Sequence, residues 1–229
     1  MRSFEELPRG LRCEEVRPYW ESLRKKRLTL VLKRAFDLCM ASLLLVFLAL
    51  PMAVIAVAIL LDSPGGVFFR QQRVTQYGRI FRIHKFRTMV AGADRKGSAV
   101  TVAGDARVTR IGEMLRKYRL DELPQLIDVL AGDMSFVGTR PEVPKYVKKY
   151  SREMRATLLL PAGITSDASI EFRNEAELLS GAEDTDKAYI ERILPEKMAV
   201  NLRALKEFSL INDMKTMLRT VTAVFGREE

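Results

Sequence analysis

The side chains with the clearest chemical potential are two adjacent acids, Asp121 and Glu122. The apolar spacing after them predicts a helix with Asp121 as its N-cap, Pro124 in its first turn and Gly132 as its C-terminal stop. A carboxylate at a helix N-terminus is held ionised by the dipole and the free amide donors, and the same place attracts phosphate. The placement suits chemistry on a phosphate, but an Asp-Glu pair alone carries almost no weight, because it is more typical of a helix cap followed by a solvated acid.

The positive charge of the chain is concentrated just before this acid pair. The formal net charge is +9, and residues 62–119 carry most of the excess of arginine and lysine. Nucleic acid is one class of partner for such a segment. The phosphates of a nucleotide and lipid head groups fit better beside an apolar run, so we expect no nucleic acid partner. Cys13 and Cys39 have neither disulfide nor metal-binding spacing.

The elements that must position the acids begin with an uncharged apolar run at residues 38–61. As one straight helix at ~1.5 Å per residue it would reach about 36 Å, enough to cross a bilayer core of ~30 Å. Pro51 removes a backbone donor in its middle and favours a kink, which leaves two legs too short to span. Cationic flanks on both sides prefer the cytoplasmic face. The sequence favours a re-entrant helix-break-helix, with a proline-kinked single-pass helix as the alternative.

The other patterns predict an α+β, mostly helical monotopic membrane protein. Residues 67–74 and 79–87 predict a small β-hairpin. Basic residues mixed with leucines before residue 38 predict interfacial amphipathic helices, and residues 91–105 predict a loop that closes over substrate. The expected division is a basic interfacial segment (1–37), a re-entrant membrane helix (38–61), a catalytic domain (62–176) and C-terminal helices on the domain or the membrane surface (177–229).

Five motifs occur in order: KRAFD at 33–37, KFRTM at 85–89, DARVTRIG at 105–112, LDELPQL at 120–126 and GDMSFVGTRP at 132–141. Together they resemble the bacterial sugar transferase family, the small monotopic phosphoglycosyl transferases, over roughly residues 30–175. The resemblance implies an enzyme that transfers a sugar phosphate from a UDP-sugar to polyprenyl phosphate, releases UMP and begins glycan assembly. It also implies a place at the cytoplasmic face of the bacterial inner membrane.

By the same resemblance, Asp121 is the nucleophile that forms a covalent phosphosugar intermediate, and Glu122 binds Mg²⁺. Two phosphates and a carboxylate repel one another, so a divalent cation and several arginines must neutralise the charge that moves. The phosphate-binding candidates are Arg116 and Arg140, followed by Lys85, Arg87 and Arg107. The residues expected to guide membrane insertion are Lys33, Arg34, Asp37 and Pro51. The expected partners are a UDP-sugar, polyprenyl phosphate and membrane lipids, with a homodimer left open.

Three positions depart from the family pattern. Leu50 precedes Pro51 where serine is common, so a hydroxyl that could bond a freed carbonyl is missing. Thr139 precedes Arg140 where proline is common, which bears on loop rigidity. Ala162 stands where a proline usually adjoins the glycine, and this variation does not identify a particular sugar.

Two other functions are compatible with parts of the sequence. A membrane-tethered adaptor could hold anions with its basic segment but would not need both acids. A glycosyltransferase that moves only the sugar would release UDP. Asp184 and Asp186 match a metal-binding Asp-x-Asp pattern, but their position is more typical of a helix cap. His84 is more typical of a packing residue than of a catalyst, and an apolar stripe at 214–225 predicts packing on the core or on the membrane.

Overall fold

The computed structural model describes residues 1–93, 105–179 and 184–225, and most of these residues are helical. Helices α1 to α10 span Arg17–Lys25, Arg27–Asp62, Arg110–Lys117, Gln125–Ala131, Pro144–Val147, Asp167–Glu171, Glu175–Leu178, Thr185–Ala188, Leu194–Lys206 and Leu210–Phe225. Strands β1 to β4 span Phe68–Val74, Ile80–Phe86, Met134–Val137 and Ala162–Thr165. The predicted mostly helical α+β class is confirmed. Most of the predicted closing loop, 91–105, lies outside the described residues.

The predicted hairpin is present as the antiparallel pair β1 and β2, with Phe68 opposite Phe86 and Val74 opposite Ile80. Its turn uses a positive φ at Gly78, where a side chain would be strained. Phe81 and Ile83 are buried at alternate positions of β2. The next residue in this alternation is Lys85, so the strand that packs on the core also delivers a cation to the acid pair.

Helix α2 is continuous through Pro51, where the sequence predicts a break into two legs. A proline inside an apolar helix removes one backbone hydrogen bond and need not end the helix. Helix α2 is also the one helix among the described residues that is long and apolar enough to cross a membrane, by length and composition.

One face of α2 packs on the folded part of the chain on both sides of Pro51. Before the proline, Ala41 is fully buried in a cluster with Phe81 and Leu126. After it, Ile59 is buried against Phe86 and Leu115. The opposite face is apolar and exposed, at helical spacing: Leu43, Val46, Phe47, Leu50, Val54, Val57 and Leu61. An exposed face of this composition is typical of contact with lipid.

The KRAFD motif at 33–37 ties α2 to the rest of the protein. Lys33 Nζ lies 2.5 Å from an Asp213 carboxylate oxygen in α10. Arg34 Nη1 donates to the Val129 carbonyl at 2.8 Å, near the end of α4, and Asp37 accepts from Ser135 Oγ at 2.7 Å. These contacts explain the charges before an apolar run. The role of this motif and of Pro51 in membrane insertion stays a prediction.

The N-terminal residues, expected as part of a separate interfacial segment, contribute to the core instead. Leu7, Val16 and Leu23 are buried in a cluster that also contains Leu159 and Leu205. The apolar residues of this stretch are spread among charges, which hides the pattern in the sequence. In α2 the segment exposes apolar side chains at Leu28, Val31 and Leu32.

A second, parallel pair of strands, β3 and β4, is absent from the sequence prediction. Gly138 follows β3 directly and Gly163 lies within β4, and together they let the two backbones approach closely: a Cβ on Gly163 would lie 2.2 Å from the Gly138 nitrogen. Gly163 N–H donates to the Thr139 carbonyl at 2.9 Å. This close approach fixes the loop that carries Arg140.

The C-terminal helices pack mainly on the folded part. Helix α9 contributes buried side chains to two core clusters, among them Met198 and Leu205. The predicted apolar stripe of α10 is divided: Met217 packs on a core cluster, whereas Met214, Leu218 and Val221 are exposed.

Candidate active site

Asp121 and Glu122 lie in a short 3₁₀ turn, Leu120–Glu122, between α3 and α4. The turn is entered through Arg119, whose φ of 55° places it in the left-handed region. The predicted N-cap role of Asp121 is wrong, because α4 begins only at Gln125 and Pro124 precedes it without a capping hydrogen bond. Both acids are 8% exposed, so burial and neighbouring charges determine their chemistry, and the helix terminus contributes little.

Glu122 is surrounded by cations. Its Oε1 lies 2.5 Å from Arg140 Nη2 and 2.8 Å from Lys85 Nζ, and Arg119 Nη1 approaches to 3.8 Å. Burial opposes ionisation of Glu122, but Arg140 and Lys85 outweigh it and hold its pKa well below the ordinary value. Glu122 is therefore a charged and largely neutralised carboxylate.

Asp121 has the opposite environment. Burial raises its pKa, Lys85 opposes that effect from 3.8 Å, and the charge of Glu122 adds to it. Lys85 comes no closer to Asp121 than 3.8 Å, and Arg116 and Arg119 act on it from further away. A carboxylate with a raised pKa and no such close cation is the more basic and the less engaged of the two. The geometry thus favours Asp121 over Glu122 as a nucleophile.

Three of the predicted phosphate-binding cations are assembled around the acids. Lys85 and Arg140 contact Glu122 directly. Arg116 donates from Nε to Thr88 Oγ1 at 2.8 Å; burial lowers its pKa while the charge of Asp121 opposes that effect. All three line one cavity together with Asp121 and Glu122.

The other two predicted cations are engaged with loops. The Arg87 guanidinium donates to the Ser63 and Gly66 carbonyls at 2.8 and 2.5 Å, and so fixes the turn that follows α2. Arg107 pairs with Asp105 at 2.5 Å. Both side chains line the cavity wall. The hydrogen bonds of Arg87 indicate that it stabilises the loop rather than binds phosphate.

The cavity has a volume of about 2090 Å³, whereas pockets for one small ligand are typically about 300–1,000 Å³. Three regions of its wall differ in chemistry. One is cationic, with Arg107, Arg110, Arg116, Lys117 and Arg119. A second is apolar, with Leu44, Leu48, Phe136, Ile164 and Val224. A third carries acids, phenols and lysines, namely Glu142, Tyr146, Glu175, Tyr189 and Lys197. The cavity thus has room for two substrates of different polarity.

The third region is the one that the sequence analysis missed. Tyr189 donates to Glu142 Oε1, and Lys197 Nζ lies 3.6 Å from the same oxygen. Lys197 also donates to Glu175 at 2.7 Å. Glu142 follows the GTRP motif by one residue, which is the only signal that the sequence offers; Tyr189 and Lys197 come from the distant C-terminal part.

The predicted metal site can be tested against the donor set. The described residues contain no group of three or more His, Cys, Asp or Glu side chains that could hold a metal ion. Glu122 Oε2 has a single, long contact of 3.3 Å to Arg140 Nη1, which leaves lone pairs available. One or two carboxylates completed by substrate phosphates are the usual donor set of Mg²⁺. The acids fit a magnesium ion that arrives with a phosphate substrate.

The Asp-x-Asp pattern and His84 have the local roles that the sequence predicts. Asp184 caps α8 by accepting from the Lys187 N–H at 2.9 Å, and Asp186 pairs with Lys145. His84 binds Asp128 through Nδ1 at 2.6 Å, and neither residue lines the cavity. Both patterns are thus explained by local structure.

Comparison with known proteins gives one family. The bacterial sugar transferase family model matches residues 28–227. A UDP-N-acetylgalactosamine-undecaprenyl-phosphate N-acetylgalactosaminephosphotransferase of Aeromonas hydrophila is 36% identical over 84% of this chain and 43% of its own length. A UDP-glucose:undecaprenyl-phosphate glucose-1-phosphate transferase of Caulobacter vibrioides is 36% identical over 84% of this chain and 69% of its own length.

A shorter relative matches a smaller part of the chain. The putative undecaprenyl-phosphate N-acetylgalactosaminyl 1-phosphate transferase of Bacillus subtilis is 43% identical over 55% of this chain and 70% of its own length. The chain thus spans less than half of the Aeromonas relative and about 70% of the other two. On the match to residues 28–227, this chain belongs to the bacterial sugar transferase family.

Proposed function

We propose that the protein transfers a sugar 1-phosphate from a UDP-sugar to polyprenyl phosphate through a covalent intermediate on Asp121. The observation that carries the proposal is the contrast inside the acid pair: Asp121 is buried and weakly engaged, whereas Glu122 is held by three cations. The named relatives use UDP-sugars and undecaprenyl phosphate as substrates, which fits a cavity with cationic and apolar walls.

In the first step, an Asp121 carboxylate oxygen attacks the phosphorus that bears the sugar. The bond from this phosphorus to the bridging oxygen breaks, UMP leaves with the electron pair, and an aspartyl phosphosugar remains. Lys85, Arg116 and Arg140 lie where charge accumulates on the phosphoryl oxygens. Magnesium, held by Glu122 and the phosphates, would supply further neutralisation of that charge.

In the second step, a phosphate oxygen of the lipid attacks the same phosphorus. The bond to Asp121 breaks, the carboxylate is restored, and a polyprenyl-diphosphate-sugar leaves. The apolar wall of the cavity, with Leu44 and Leu48 of α2 and Val224 of α10, offers a surface for the isoprenyl chain beside the reacting phosphate. The product is the first lipid-linked intermediate of a bacterial glycan.

The packing of α2 supports a monotopic arrangement. If α2 crossed the bilayer, the folded part could not contact the helix on both sides of Pro51 without entering the hydrocarbon core. Ala41 and Ile59 make such contacts. We therefore propose that α2 enters and leaves the membrane on the cytoplasmic side of the bacterial inner membrane, with its exposed face toward lipid.

Two alternatives predict different products. A membrane-tethered anion-binding adaptor has no use for two acids buried side by side, because each buried charge destabilises the fold unless it is compensated. A glycosyltransferase that moves only the sugar would release UDP. We favour transfer of the sugar phosphate because a nucleophilic carboxylate faces a cationic wall.

The test incubates the full chain in detergent with Mg²⁺, polyprenyl phosphate and a panel of UDP-sugars while UMP and UDP are measured separately. We expect UMP. Intact-protein mass spectrometry without the lipid acceptor should show a phosphosugar adduct on the unmodified chain and none on Asp121→Asn. Release of UDP, or an adduct that survives Asp121→Asn, contradicts the proposal.

A further inference from the structure

We infer that four residues of the third region of the cavity wall, namely Glu142, Glu175, Tyr189 and Lys197, bind the sugar ring of the nucleotide sugar and determine which sugar is accepted. This sugar-binding wall, as we call these four residues, rests on the proposed function. It goes beyond that function because it assigns substrate discrimination to residues outside the acid pair.

The first argument is the division of charge around Asp121. The leaving UMP carries one of the two negatively charged phosphates of the donor, and the cationic wall with Arg107, Arg116 and Lys117 suits it. The sugar is attached to the attacked phosphorus and is neutral, with hydroxyl groups that both donate and accept hydrogen bonds. A wall that combines carboxylates with an ammonium and a phenol offers both kinds of partner.

The second argument is proximity to the reaction centre. Arg140 binds Glu122, and Glu142 lies two residues further along the same loop. Glu142 also acts on the charge state of its neighbours: it favours the charged forms of Arg140 and Arg73. The sugar-binding wall is therefore adjacent to the site where the phosphorus reacts.

The third argument is that the wall is preorganised and still has bonding capacity. Burial and Glu142 raise the pKa of Tyr189, so its hydroxyl stays protonated and donates to Glu142. Lys197 is held between Tyr189 at 3.1 Å and Glu175 at 2.7 Å. Glu142 Oε2 makes no hydrogen bond to any described residue. That oxygen is available as an acceptor in a cavity-lining side chain.

The fourth argument is the backbone that presents Tyr189. The residue starts a π-helical turn, Tyr189–Ile193, just before α9. Pro195 lies in the first turn of α9 and has no N–H, so the regular helical ladder is interrupted there. Such π-turns are frequent at functional sites because they redirect a side chain. Here the redirected side chain reaches Glu142.

The experiment measures binding of UDP and of four donors, UDP-glucose, UDP-galactose, UDP-N-acetylglucosamine and UDP-N-acetylgalactosamine. Calorimetric titrations use the full chain carrying Asp121→Asn, so that the donors stay intact. We expect sugar-dependent affinities. Adding Glu175→Gln or Tyr189→Phe should reduce the preference for the best donor over its epimer by about tenfold, the loss expected for one hydrogen bond to a charged or preorganised group. Affinity for UDP should change less than about twofold.

The matched control is Glu177→Gln, on the same short helix as Glu175 but exposed and outside the cavity wall; it should leave every affinity unchanged. Equal loss of affinity for UDP and for all donors would show that these residues only support the loop of Arg140. That result, or unchanged preference in both variants, overturns the inference. UMP release by the unmodified chain is measured in parallel. If the unmodified chain releases no UMP but the variants still lose their sugar-dependent binding, the proposed function is contradicted and this inference stands.

Discussion

Asp121 and Glu122 are adjacent in the chain but lie in opposite electrostatic environments. Lys85 approaches both acids, but Arg140 reaches only Glu122 within hydrogen-bond distance. The pKa of Glu122 is therefore lowered, whereas burial leaves that of Asp121 raised. In the proposed mechanism, Glu122 provides fixed charge for the site and Asp121 provides the nucleophile.

This contrast predicts opposite effects of the two amide substitutions on stability. A lowered folded-state pKa means that Glu122 stabilises the fold above its unfolded pKa of about 4.3, and that the contribution is lost as pH falls through the folded value. Glu122→Gln should cost about 3–5 kcal/mol at pH 7 because Lys85 and Arg140 lose their partner. Asp121 has a raised pKa, so its ionised form opposes folding at pH 7.

Asp121→Asn should therefore unfold at the same or a higher temperature than the unmodified protein. Thermal unfolding of the detergent-solubilised chain at pH 7 measures both changes. A loss of stability in Asp121→Asn as large as that in Glu122→Gln would show that the two acids are equivalent.

The pH dependence of turnover should depend on Lys85. The proposed mechanism requires ionised Asp121, so we expect activity to fall as pH drops through a pKa that burial has raised. Lys85 lowers that pKa, and Lys85→Gln should move the acid limb of kcat/KM to higher pH, in addition to any loss of rate. Lys117→Gln, which removes another cavity-lining lysine, serves as the control and should leave the limb in place. An unshifted limb in Lys85→Gln would assign the limb to another group.

The two arginines Arg87 and Arg116 should respond differently to substitution. Arg87→Met removes donors to the Ser63 and Gly66 carbonyls and should lower the unfolding temperature by several degrees, at a cost of about 2–3 kcal/mol. Arg116→Met should leave stability nearly unchanged and lower kcat/KM at least about tenfold, because a cation near Asp121 is lost. Thermal unfolding and UMP release distinguish the two roles. If Arg87→Met is as stable as the unmodified protein and has a raised KM for the UDP-sugar, then Arg87 binds a substrate phosphate after all.

At the residue level, the sequence predicts those parts of the site that are local in the chain. Asp121, Glu122 and Arg140 occur in short motifs with fixed spacing, and the structure brings them together. Glu142, Tyr189 and Lys197 meet only through tertiary packing of α9 on the cavity wall, and none of them has a motif of its own. Arg87 shows the opposite case: it belongs to a motif, but its side chain hydrogen-bonds to the backbone of a neighbouring loop.

Among the elements, the pair of β3 and β4 positions the loop that carries Arg140. Gly163→Ala would place a Cβ 2.2 Å from the backbone of Gly138. The strands must separate, which moves the loop that follows Gly138 and carries Arg140. We expect a lower unfolding temperature and at least about a tenfold loss of kcat/KM, as positioning errors typically cause.

Gly66→Ala is the matched control, because no atom lies within 4 Å of the Cβ position at Gly66. The same thermal and UMP assays apply to both variants. If Gly163→Ala behaves like Gly66→Ala, then the close approach of the two strands does not hold Arg140 in place.

The hairpin of β1 and β2 could be predicted because two β-prone stretches flank a turn. The four-residue strands β3 and β4 could not, since they are too short to show alternation and pair across a long connection. The N-cap assignment of Asp121 failed for a related reason: a 3₁₀ turn and an α-helix share their apolar spacing over one turn.

For the whole molecule, the main feature is a folded body that contacts α2 on both sides of Pro51. A buried face at Ala41 and Ile59 and an exposed face at Val46, Phe47 and Leu50 divide the helix lengthwise. A helix that spans a bilayer is surrounded by lipid in its middle on all sides unless other spanning segments cover it. The lengthwise division fits a helix that rests in one leaflet beneath the body.

This arrangement predicts that both ends of α2 are on the cytoplasmic side. Single cysteines replace Arg24 and Arg70, which flank the helix, in a chain whose two native cysteines, Cys13 and Cys39, are changed to serine. A membrane-impermeant thiol reagent added to intact cells should label neither position, and both should react after the cells are opened. The physical reason is twofold: both flanks are cationic and favour the cytoplasmic face, and the contacts of Ala41 and Ile59 bring both halves of the helix to one body. Labelling of either position from outside intact cells means that α2 spans the membrane, in which case the packing of α2 on both sides of Pro51 is wrong as well.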